Sequence, residues 1–267
     1  MRNPEGIFLT DNLESLKNFN KSQYMLGIVE RNALTGGDEF FNELMKKPFQ
    51  VSGAVRKLFA KSDIAKLLEN TLSPELRANE FFKQWLSDME DVCKSFCELE
   101  NIKDVAFWLG TKRGCSRYHV DNVPKRLLVT YAGRGTEWIP DMAADRTAFE
   151  SGEPNEHIVK DTSALRHIRQ WDVAVFRGFR EGILHRTPDE ALNGPSILLR
   201  LDHSSFLKKR LYLHNTSKGA KYTKGKNWTL IYKKCYKSKS DAMKNEYILK
   251  NDRIWRNKIK ENFLNKI

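Results

Sequence analysis

The fold is decided by a β-rich region whose clearest strand reads Ser196-Ile197-Leu198-Leu199-Arg200-Leu201-Asp202. Successive side chains of an extended strand point to opposite faces of a sheet. Ile197, Leu199 and Leu201 therefore share one face, and Arg200 lies on the other. This alternation predicts a β-strand, and the same pattern can be sought in the residues before it.

Six further runs of the same character lie upstream of this strand, and each is bounded by turn residues. They cover residues 105–110, 117–120, 126–131, 136–139, 172–177 and 182–185. Seven short strands within about a hundred residues are typical of a β-sandwich or barrel. The polar stretch 142–170 interrupts the strands and is predicted to form a long loop or lid, with a short helix over 163–168.

Residues 1–104 have a mainly helical pattern. One helix is predicted over 73–100, where Ser73 can cap the first turn and Pro74 fits the first helical position. Its apolar residues recur at spacings of three and four, which places them on one stripe: Phe81, Trp85, Met89, Val92, Phe96 and Leu99. A second helix is predicted over 54–72. We expect these helices to pack on the β-rich region.

The composition excludes several classes of protein. The chain has 267 residues, of which 40% are hydrophobic, and this is too apolar for a wholly disordered protein. No apolar run approaches the ~20 residues of a membrane helix, and residues 1–6 do not resemble the start of a signal peptide. Four cysteines are too few for a disulfide framework. We expect a soluble, cytoplasmic protein that does not bind membranes.

The net charge of +12 is unevenly distributed. Residues 1–203 carry 28 Lys and Arg against 30 Asp and Glu, whereas residues 204–267 carry 18 against 4. A near-neutral body therefore precedes a strongly basic tail, and this change of charge is the clearest sign of a domain boundary.

Three side chains in the β-rich region are candidate metal ligands. His119-Val120-Asp121 ends one predicted strand, and His185 lies at the end of another, 64 residues after Asp121. Two imidazoles and one carboxylate on one side of a metal leave three coordination positions open, an arrangement that suits non-haem Fe(II) and oxygen chemistry. The alternatives are a hydrogen-bonded cluster without a metal, or a cupin that holds Zn, Mn or Ni without activating oxygen.

The order of these residues resembles the double-stranded β-helix of the Fe(II)/2-oxoglutarate-dependent oxygenases. The resemblance implies Fe(II), or another divalent metal, at His119, Asp121 and His185, with 2-oxoglutarate as co-substrate. It also implies an arginine on the last strand that pairs with the distal carboxylate of 2-oxoglutarate, and Arg200, 15 residues after His185, is the best match. The fallback residues for this role are Arg126, Arg177 and Arg186. Strand phase suggests Tyr131, Trp138 and Phe176 as pocket-lining residues.

Most of residues 20–203 also resembles an uncharacterised bacterial family, domain of unknown function 1826. The matching stretches are 115–124, 131–140, 172–178 and 185–188. This family carries no known reaction, so the oxygenase hypothesis depends on the ligand pattern.

The basic tail contains a predicted strand over 228–232 and a predicted helix over 238–251, and over residues 208–252 it resembles the second half of a GIY-YIG nuclease domain. The resemblance places Arg210 at the family's catalytic arginine and Glu246 at its metal-binding glutamate, and His214, Lys221 and Tyr222 also match. The hairpin that carries the two namesake motifs and the catalytic tyrosine has no counterpart before Arg210. We therefore expect no competent nuclease, and the tail is either a nucleic-acid-binding segment or a remnant of a gene fusion.

These observations predict an α+β protein with three segments. They are a helical N-terminal segment (1–104), a double-stranded β-helix metal-binding core (105–203) and a basic GIY-YIG-like α/β appendage (204–267). The leading hypothesis is a metal-dependent enzyme, of Fe(II)/2-oxoglutarate oxygenase type, with an unknown prime substrate. The alternatives are a nucleic-acid-binding protein with a truncated nuclease fragment, and a non-enzymatic metal cupin.

Overall fold

The computed structural model of the chain describes residues 6–204, 231–232 and 239–264. The chain divides into two compact units, Met1–Ser204 and Ser205–Ile267. Both helices and strands are present, and a large mixed sheet dominates the first unit.

The described part of the first unit contains ten strands. They are β1 (Phe8–Thr10), β2 (Leu26–Val29), β3 (Gln50–Arg56), β4 (Asp104–Gly110), β5 (Lys125–Ala132), β6 (Glu137–Ile139), β7 (Arg166–His167), β8 (Val173–Arg177), β9 (Leu184–Arg186) and β10 (Ile197–His203). Seven of them form the large sheet in the order β1-β2-β8-β5-β10-β4-β3, and three form a smaller sheet in the order β7-β6-β9. In the large sheet β1 and β2 are parallel, whereas the other neighbours are antiparallel.

From β4 onward the chain passes repeatedly between the two sheets. An isolated bridge joins His119 to His185 and extends the small sheet beyond β9. The chain thus goes from the large sheet (β4) to the bridge, back to β5, across to β6 and β7, back to β8, across to β9, and back to β10. This alternation brings segments that are distant in sequence next to each other in the small sheet.

The first unit also contains seven α-helices in its described part. They are α1 (Gly37–Met45), α2 (Ala60–Leu68), α3 (Pro74–Ala78), α4 (Glu80–Glu100), α5 (Arg146–Ser151), α6 (Asn155–Ile158) and α7 (Asp189–Asn193). Short 3-10 helices cover Leu13–Lys21, Lys57–Phe59, Asp141–Ala143 and Thr162–Ala164. The helix predicted over 163–168 is therefore one 3-10 turn, followed by β7.

The N-terminal helices cover one face of the large sheet, as predicted. The largest core cluster joins Trp85 and Phe96 of α4 to Val129, Val173 and Leu199 of the sheet. The helix predicted over 73–100 is divided at Asn79, whose extended backbone (ψ 133°) ends α3 and whose side chain caps α4 by accepting a hydrogen bond from the Phe81 N–H.

Two predictions for residues 1–104 need correction. The second helix begins at Ala60 rather than at residue 54, because residues 50–56 pair with β4 as an edge strand. The segment also contributes β1, β2 and β3 to the large sheet, which helical periodicity does not predict.

The other face of the large sheet packs against the small sheet. Leu26, Leu128 and Phe176 from the large sheet contact Trp138 and Ile183 from the region of the small sheet in a second apolar cluster. The candidate metal ligands lie at the edge of this inter-sheet space, where Phe176 packs on the ring of His185 at a centroid distance of 4.3 Å.

The described part of the second unit contains two helices, α8 (Lys239–Asn251) and α9 (Arg253–Leu264). The first confirms the helix predicted over 238–251 within one residue. The strand predicted over 228–232 lies outside the described residues except for its last two positions. Within the part of the chain that the structure describes, no helix is long and apolar enough to span a membrane.

Candidate metal centre

His119, Asp121 and His185 converge in the structure. The backbone N–H of His119 donates to the carbonyl of His185 at 3.0 Å, and the N–H of His185 donates to the carbonyl of His119 at 3.1 Å. This paired bridge places the two rings side by side, with centroids 4.4 Å apart. Each of the three residues offers a nitrogen or oxygen ligand atom within 4.8 Å of the other two.

In both histidines, a backbone carbonyl binds Nδ1 and orients the ring. Nδ1 of His119 lies 3.0 Å from the carbonyl oxygen of Arg117, and Nδ1 of His185 lies 3.0 Å from that of Ile183. A carbonyl oxygen only accepts hydrogen bonds, so each Nδ1 carries a proton, and Nε2 is the nitrogen of each ring that is left to bind a ligand. A backbone carbonyl on the second nitrogen is a common way to orient a metal-binding histidine.

The charge state of the cluster also suits a cation. Burial lowers the pKa of His119 to about 4, so the ring is neutral at physiological pH. Burial alone raises the pKa of the Asp121 carboxyl, but His185 and the Arg126 guanidinium outweigh it and lower that pKa overall. His119 therefore presents a neutral imidazole and Asp121 a carboxylate, the forms that metal binding requires.

The two oxygens of the Asp121 carboxylate differ in their contacts. Oδ1 pairs with the Arg126 guanidinium, whereas Oδ2 is buried, has no hydrogen-bond partner among the described residues and lies 3.4 Å from Nε2 of His185. Asp121 and His185 are each 3% exposed. A buried carboxylate oxygen without a donor is costly, and a divalent cation held by Asp121 and the two histidines would satisfy all three groups. The residues present therefore fit a metal ion.

A second acidic residue, Glu137, bonds to the residues next to both histidines. Its carboxylate accepts a hydrogen bond from Nε of Arg186 at 2.6 Å and one from the Tyr118 hydroxyl. Tyr118 precedes His119 and Arg186 follows His185, so one carboxylate ties together the residues next to both ligands. Glu137 is 4% exposed; burial raises the pKa of its carboxyl, but Arg186 and Tyr118 outweigh burial and lower that pKa overall. Sequence reasoning missed this residue, although an acidic residue beside Trp138 and Ile139 in a predicted strand was a visible signal.

A chain of alternating charges leads from Asp121 to Arg200. Arg126 binds Asp202 through Nε at 2.8 Å and Nη2 at 3.1 Å while its Nη1 pairs with Asp121. Arg200 is adjacent, with its Nε 3.4 Å from Oδ2 of Asp202 and its guanidinium 5.3 Å from the Trp108 ring centroid. Burial lowers the pKa of Arg200, and its Nε has no hydrogen-bond partner among the described residues.

The other arginines considered from sequence are already engaged. Arg126 is held by two carboxylates, and Arg186 is held by Glu137. Arg177 donates to the backbone carbonyls of Phe19, Ser22 and Tyr24, away from the triad. Among the described residues, Arg200 thus makes the fewest hydrogen bonds of these four arginines.

The aromatic residues suggested as pocket-lining separate into two groups. Phe176 and Trp138 lie in the inter-sheet cluster, and Trp138 pairs with His185 in the β6–β9 ladder. Tyr131 lies on the opposite face of β5, packs against Trp85 and donates its hydroxyl to Asp88 at 2.7 Å. The strand-phase suggestion for Tyr131 was wrong because residues 129 and 131 face the helices.

Of the tail residues matched by the resemblance, Glu246 lies within the described part of the chain. Arg210, His214, Lys221 and Tyr222 lie outside the described residues. Glu246 lies on α8, and its carboxylate pairs with Lys250 at 2.7 Å on an exposed surface.

Comparison with known proteins identifies two sequence families. The family model described as "Protein of unknown function (DUF1826)" matches residues 10–202, and that of the GIY-YIG catalytic domain matches residues 203–259. The chain is also 38% identical over 63 residues to a UPF0213 protein of Bacillus pumilus, covering 23% of this chain and 61% of that protein. A UPF0213 protein of Oceanobacillus iheyensis is 43% identical over 49 residues, with coverage of 18% and 57%. The chain thus spans about 60% of the length of these curated relatives.

Solved structures give more distant similarities. One is a structure described as the Fe(II)/α-ketoglutarate-dependent dioxygenase TqaL, with a TM-score of 0.38 and 9% identity over 71% of this chain and 85% of that chain. Another is a full-length protein of Neurospora crassa, described in complex with α-ketoglutarate and 5-formyluracil, with a TM-score of 0.34 and 11% identity over 72% and 77%. AviO1 of Streptomyces viridochromogenes has a TM-score of 0.28 and 14% identity over 66% and 98%. At these scores, the assignment of a reaction must come from the chain's own residues.

Proposed function

We propose that this chain, which belongs to the DUF1826 family, is a metal-dependent enzyme of the non-haem Fe(II)/2-oxoglutarate oxygenase type. The observation that carries the proposal is the convergence of His119, Asp121 and His185, with each Nδ1 bound to a backbone carbonyl and with no donor to the Asp121 Oδ2 in the described part of the chain. Two histidines and one carboxylate are the donor set that suits Fe(II) with open coordination positions.

The strand connections support a double-stranded β-helix as the proposed core, spanning residues 105–203. Successive segments alternate between a large and a small sheet, and the ligands come from adjacent members of the small sheet. In this proposal β1, β2 and β3 of the segment 1–104 extend the large sheet, and residues 204–267 form a separate appendage. The β6–β9 ladder holds His185, and the paired bridge joins His119 to it, which supports the precise ligand geometry that a metal site requires.

Each residue of the site has a defined task in the proposed reaction. Fe(II), when bound, supplies the one-electron chemistry by which dioxygen is used. His119, Asp121 and His185 hold the metal, and Arg126 keeps the Asp121 carboxylate ionised and oriented. Arg200 is the proposed partner of the distal carboxylate of 2-oxoglutarate, because guanidinium binds a carboxylate through two parallel hydrogen bonds. Phe176 and Trp138 exclude water on the inter-sheet side.

The experiment is the turnover of 2-oxoglutarate without a prime substrate. With Fe(II), dioxygen and ascorbate as electron donor, wild-type protein should convert 2-oxoglutarate to succinate and carbon dioxide, while the second oxygen atom is reduced to water. His119→Ala should abolish succinate formation, and His157→Ala should retain it, since His157 is exposed and pairs with Glu153. Wild-type protein that holds iron and forms no succinate would support the alternative of a non-enzymatic metal cupin.

A second function is proposed for the tail, namely binding of nucleic acid. It is favoured by the match of residues 203–259 to the GIY-YIG domain and by 18 basic against 4 acidic residues over 204–267. Such binding should weaken steeply with salt because neutralised phosphates release counterions. Full-length protein should bind duplex DNA with a steep salt dependence, and protein lacking 204–267 should not. Equal binding by the truncated protein would contradict this function.

A further inference from the structure

A cavity of about 410 Å³ lies between the first turns of α1 and the end of β5. The described residues that line it include Asp38, Phe41, Met45, Tyr131, Gln170 and Trp171. Its volume falls within the range of about 300–1,000 Å³ that is typical of small-molecule sites. Tyr131 belongs to the core cluster on the helix side of the large sheet, whereas Phe176, which packs on His185, belongs to the inter-sheet cluster. The cavity and the candidate metal centre therefore lie on opposite faces of that sheet.

Three aromatic side chains form the floor of the cavity. The ring centroid of Trp171 lies 4.9 Å from that of Tyr131 and 6.1 Å from that of Phe41. All three residues are at most 4% exposed, so they form a packed floor rather than separate walls. The face of an aromatic ring carries partial negative charge, and a ligand with positive charge is therefore favoured next to such a floor.

The backbone of Trp171 is strained. Its φ of 70° lies in the left-handed region, which a bulky side chain rarely adopts. Two hydrogen bonds hold the residue there, because its N–H donates to the carbonyl of Thr130 at 2.9 Å and its carbonyl accepts from Nε of Arg31 at 2.8 Å. Strain that the surrounding structure maintains is concentrated at functional sites, and here it accompanies the placement of the indole ring in the cavity.

Asp38 is the one charged side chain among the described residues that line the cavity. It lies in the first turn of α1, is exposed, and forms no ion pair within the described part of the chain. Gly37 allows this turn to approach the aromatic residues, because a Cβ at that position would lie 2.7 Å from the Phe81 ring. The Asp38 carboxylate therefore gives the rim of the cavity a negative charge.

Gln170 adds a second hydrogen-bond acceptor at the rim. Its Nε2 donates to the carbonyl of Gly133 at 3.0 Å, and because a carbonyl oxygen only accepts, this bond fixes which end of the amide faces Gly133. The amide oxygen of Gln170 is left to accept a hydrogen bond from a ligand. No lysine, arginine or histidine is present among the described lining residues. The cavity thus complements a group with positive charge and several N–H donors.

We propose that this cavity binds a small organic amine in its protonated form, with the ammonium group at Asp38 and Gln170 and the apolar body on Trp171. An ammonium group carries three donors and no acceptor, so it can bind both rim groups at once. Leu34 and Met45 also line the cavity and provide apolar surface for the body of the ligand. None of these five residues belongs to the metal centre, so binding of the amine does not depend on the proposed reaction.

Calorimetric titration of the full-length protein with benzylamine, benzyl alcohol and benzoate tests the proposal, because these probes share a ring and differ in charge. Benzylamine should bind more tightly than the other two. Asp38→Asn should weaken benzylamine binding about 5-fold, the size expected for an ion pair at an exposed position. Glu39→Gln is the matched control and should leave the affinity unchanged. Glu39 lies in the same turn of α1 and is also exposed, but it is not among the residues that line the cavity. Both variants remove one acidic group from the start of α1, so the comparison separates ligand binding from helix stabilisation.

NMR spectra of isotope-labelled methionine methyl groups locate the bound amine. Met45 lines the cavity, whereas Met142 is 82% exposed and lies in the 3-10 helix Asp141–Ala143. Benzylamine should shift the Met45 signal, which Met45→Leu assigns, and leave the Met142 signal unchanged. Equal affinity for benzylamine and benzoate, wild-type affinity in Asp38→Asn, or a Met45 signal that benzylamine does not shift would each overturn the inference.

Discussion

Glu137 gives the most informative perturbation of the centre, because it supports the candidate metal ligands without being one of them. Glu137→Gln keeps the shape of the side chain but removes its charge. The variant loses the ion pair with Arg186 at 2.6 Å and weakens the bond from the Tyr118 hydroxyl. Tyr118, which precedes His119, and Arg186, which follows His185, then no longer share a charged hydrogen-bond acceptor.

The size of the effect follows from burial. Removing one partner of a buried ion pair costs about 3–5 kcal/mol. Arg186 retains Asp189 at 3.3 Å and is 17% exposed, and glutamine still offers an acceptor oxygen. We therefore expect Glu137→Gln to lower the free energy of unfolding by about 2 kcal/mol. Metal affinity should fall about 10-fold, the lower end of the effect of losing support behind metal ligands.

The loss of stability should depend on pH. Glu137 has a lowered pKa in the folded protein, so its contribution is complete above its unfolded pKa of about 4.3 and is lost as pH falls through the folded value. The difference between wild type and Glu137→Gln should therefore shrink in acid. Urea denaturation at several pH values measures stability, and calorimetric titration with Co(II) measures metal affinity. Glu153→Gln, at an exposed site, is the control. Unchanged metal affinity in a destabilised Glu137→Gln would refute a positioning role.

The remaining predictions concern the loop near Gly178, the core residue Trp85 and the ion pair between Arg126 and Asp121. A Cβ at Gly178 would overlap the carbonyl oxygens of Asp121 and Val123, so Gly178→Ala should displace the loop 121–123 and weaken metal binding. Gly114→Ala is the control, because open space surrounds Gly114 and metal binding should not change. Calorimetric titration with Co(II) compares the two variants. Trp85→Ala should lower the free energy of unfolding in urea by about 3–5 kcal/mol because the ring is fully buried. Arg126→Met should leave the Asp121 carboxylate without its ion pair and lower metal affinity at neutral pH, and wild-type affinity in that variant would contradict the role given to Arg126.

The fold could be predicted where the pattern was local. The alternation in 197–201 and five of the short runs before it correspond to β10, β4, β5, β6, β8 and β9, within a few residues at each end. The strand predicted over 117–120 was wrong, because that segment forms an isolated bridge at His119 and no strand. Residues 26–29 are different, because all four residues of β2 are buried and no alternation is present. β1 has three residues and pairs in parallel with β2. Such strands are stabilised by distant partners, which local periodicity does not record.

The candidate site, like the fold, could be predicted from the sequence only in part. The short spacing of His119 and Asp121, and the position of His185 at a strand end, were visible in the sequence, and the structure brings all three together. The support around them comes from contacts between distant positions. Arg126 donates a hydrogen bond to Asp202, 76 residues away in sequence, and Arg186 donates one to Glu137, 49 residues away. Single-sequence patterns do not encode these pairings, since they follow from the order of strands in the sheets.

The central claim is tested most directly by metal stoichiometry. Protein prepared without oxygen and equilibrated with Fe(II) should retain one iron per chain after removal of free metal. His119→Ala, Asp121→Ala and His185→Ala should each lose it, and His157→Ala should retain it. Wild-type protein without iron, or a triad variant that binds iron as well as wild type does, would contradict the assignment of His119, Asp121 and His185 as a metal centre.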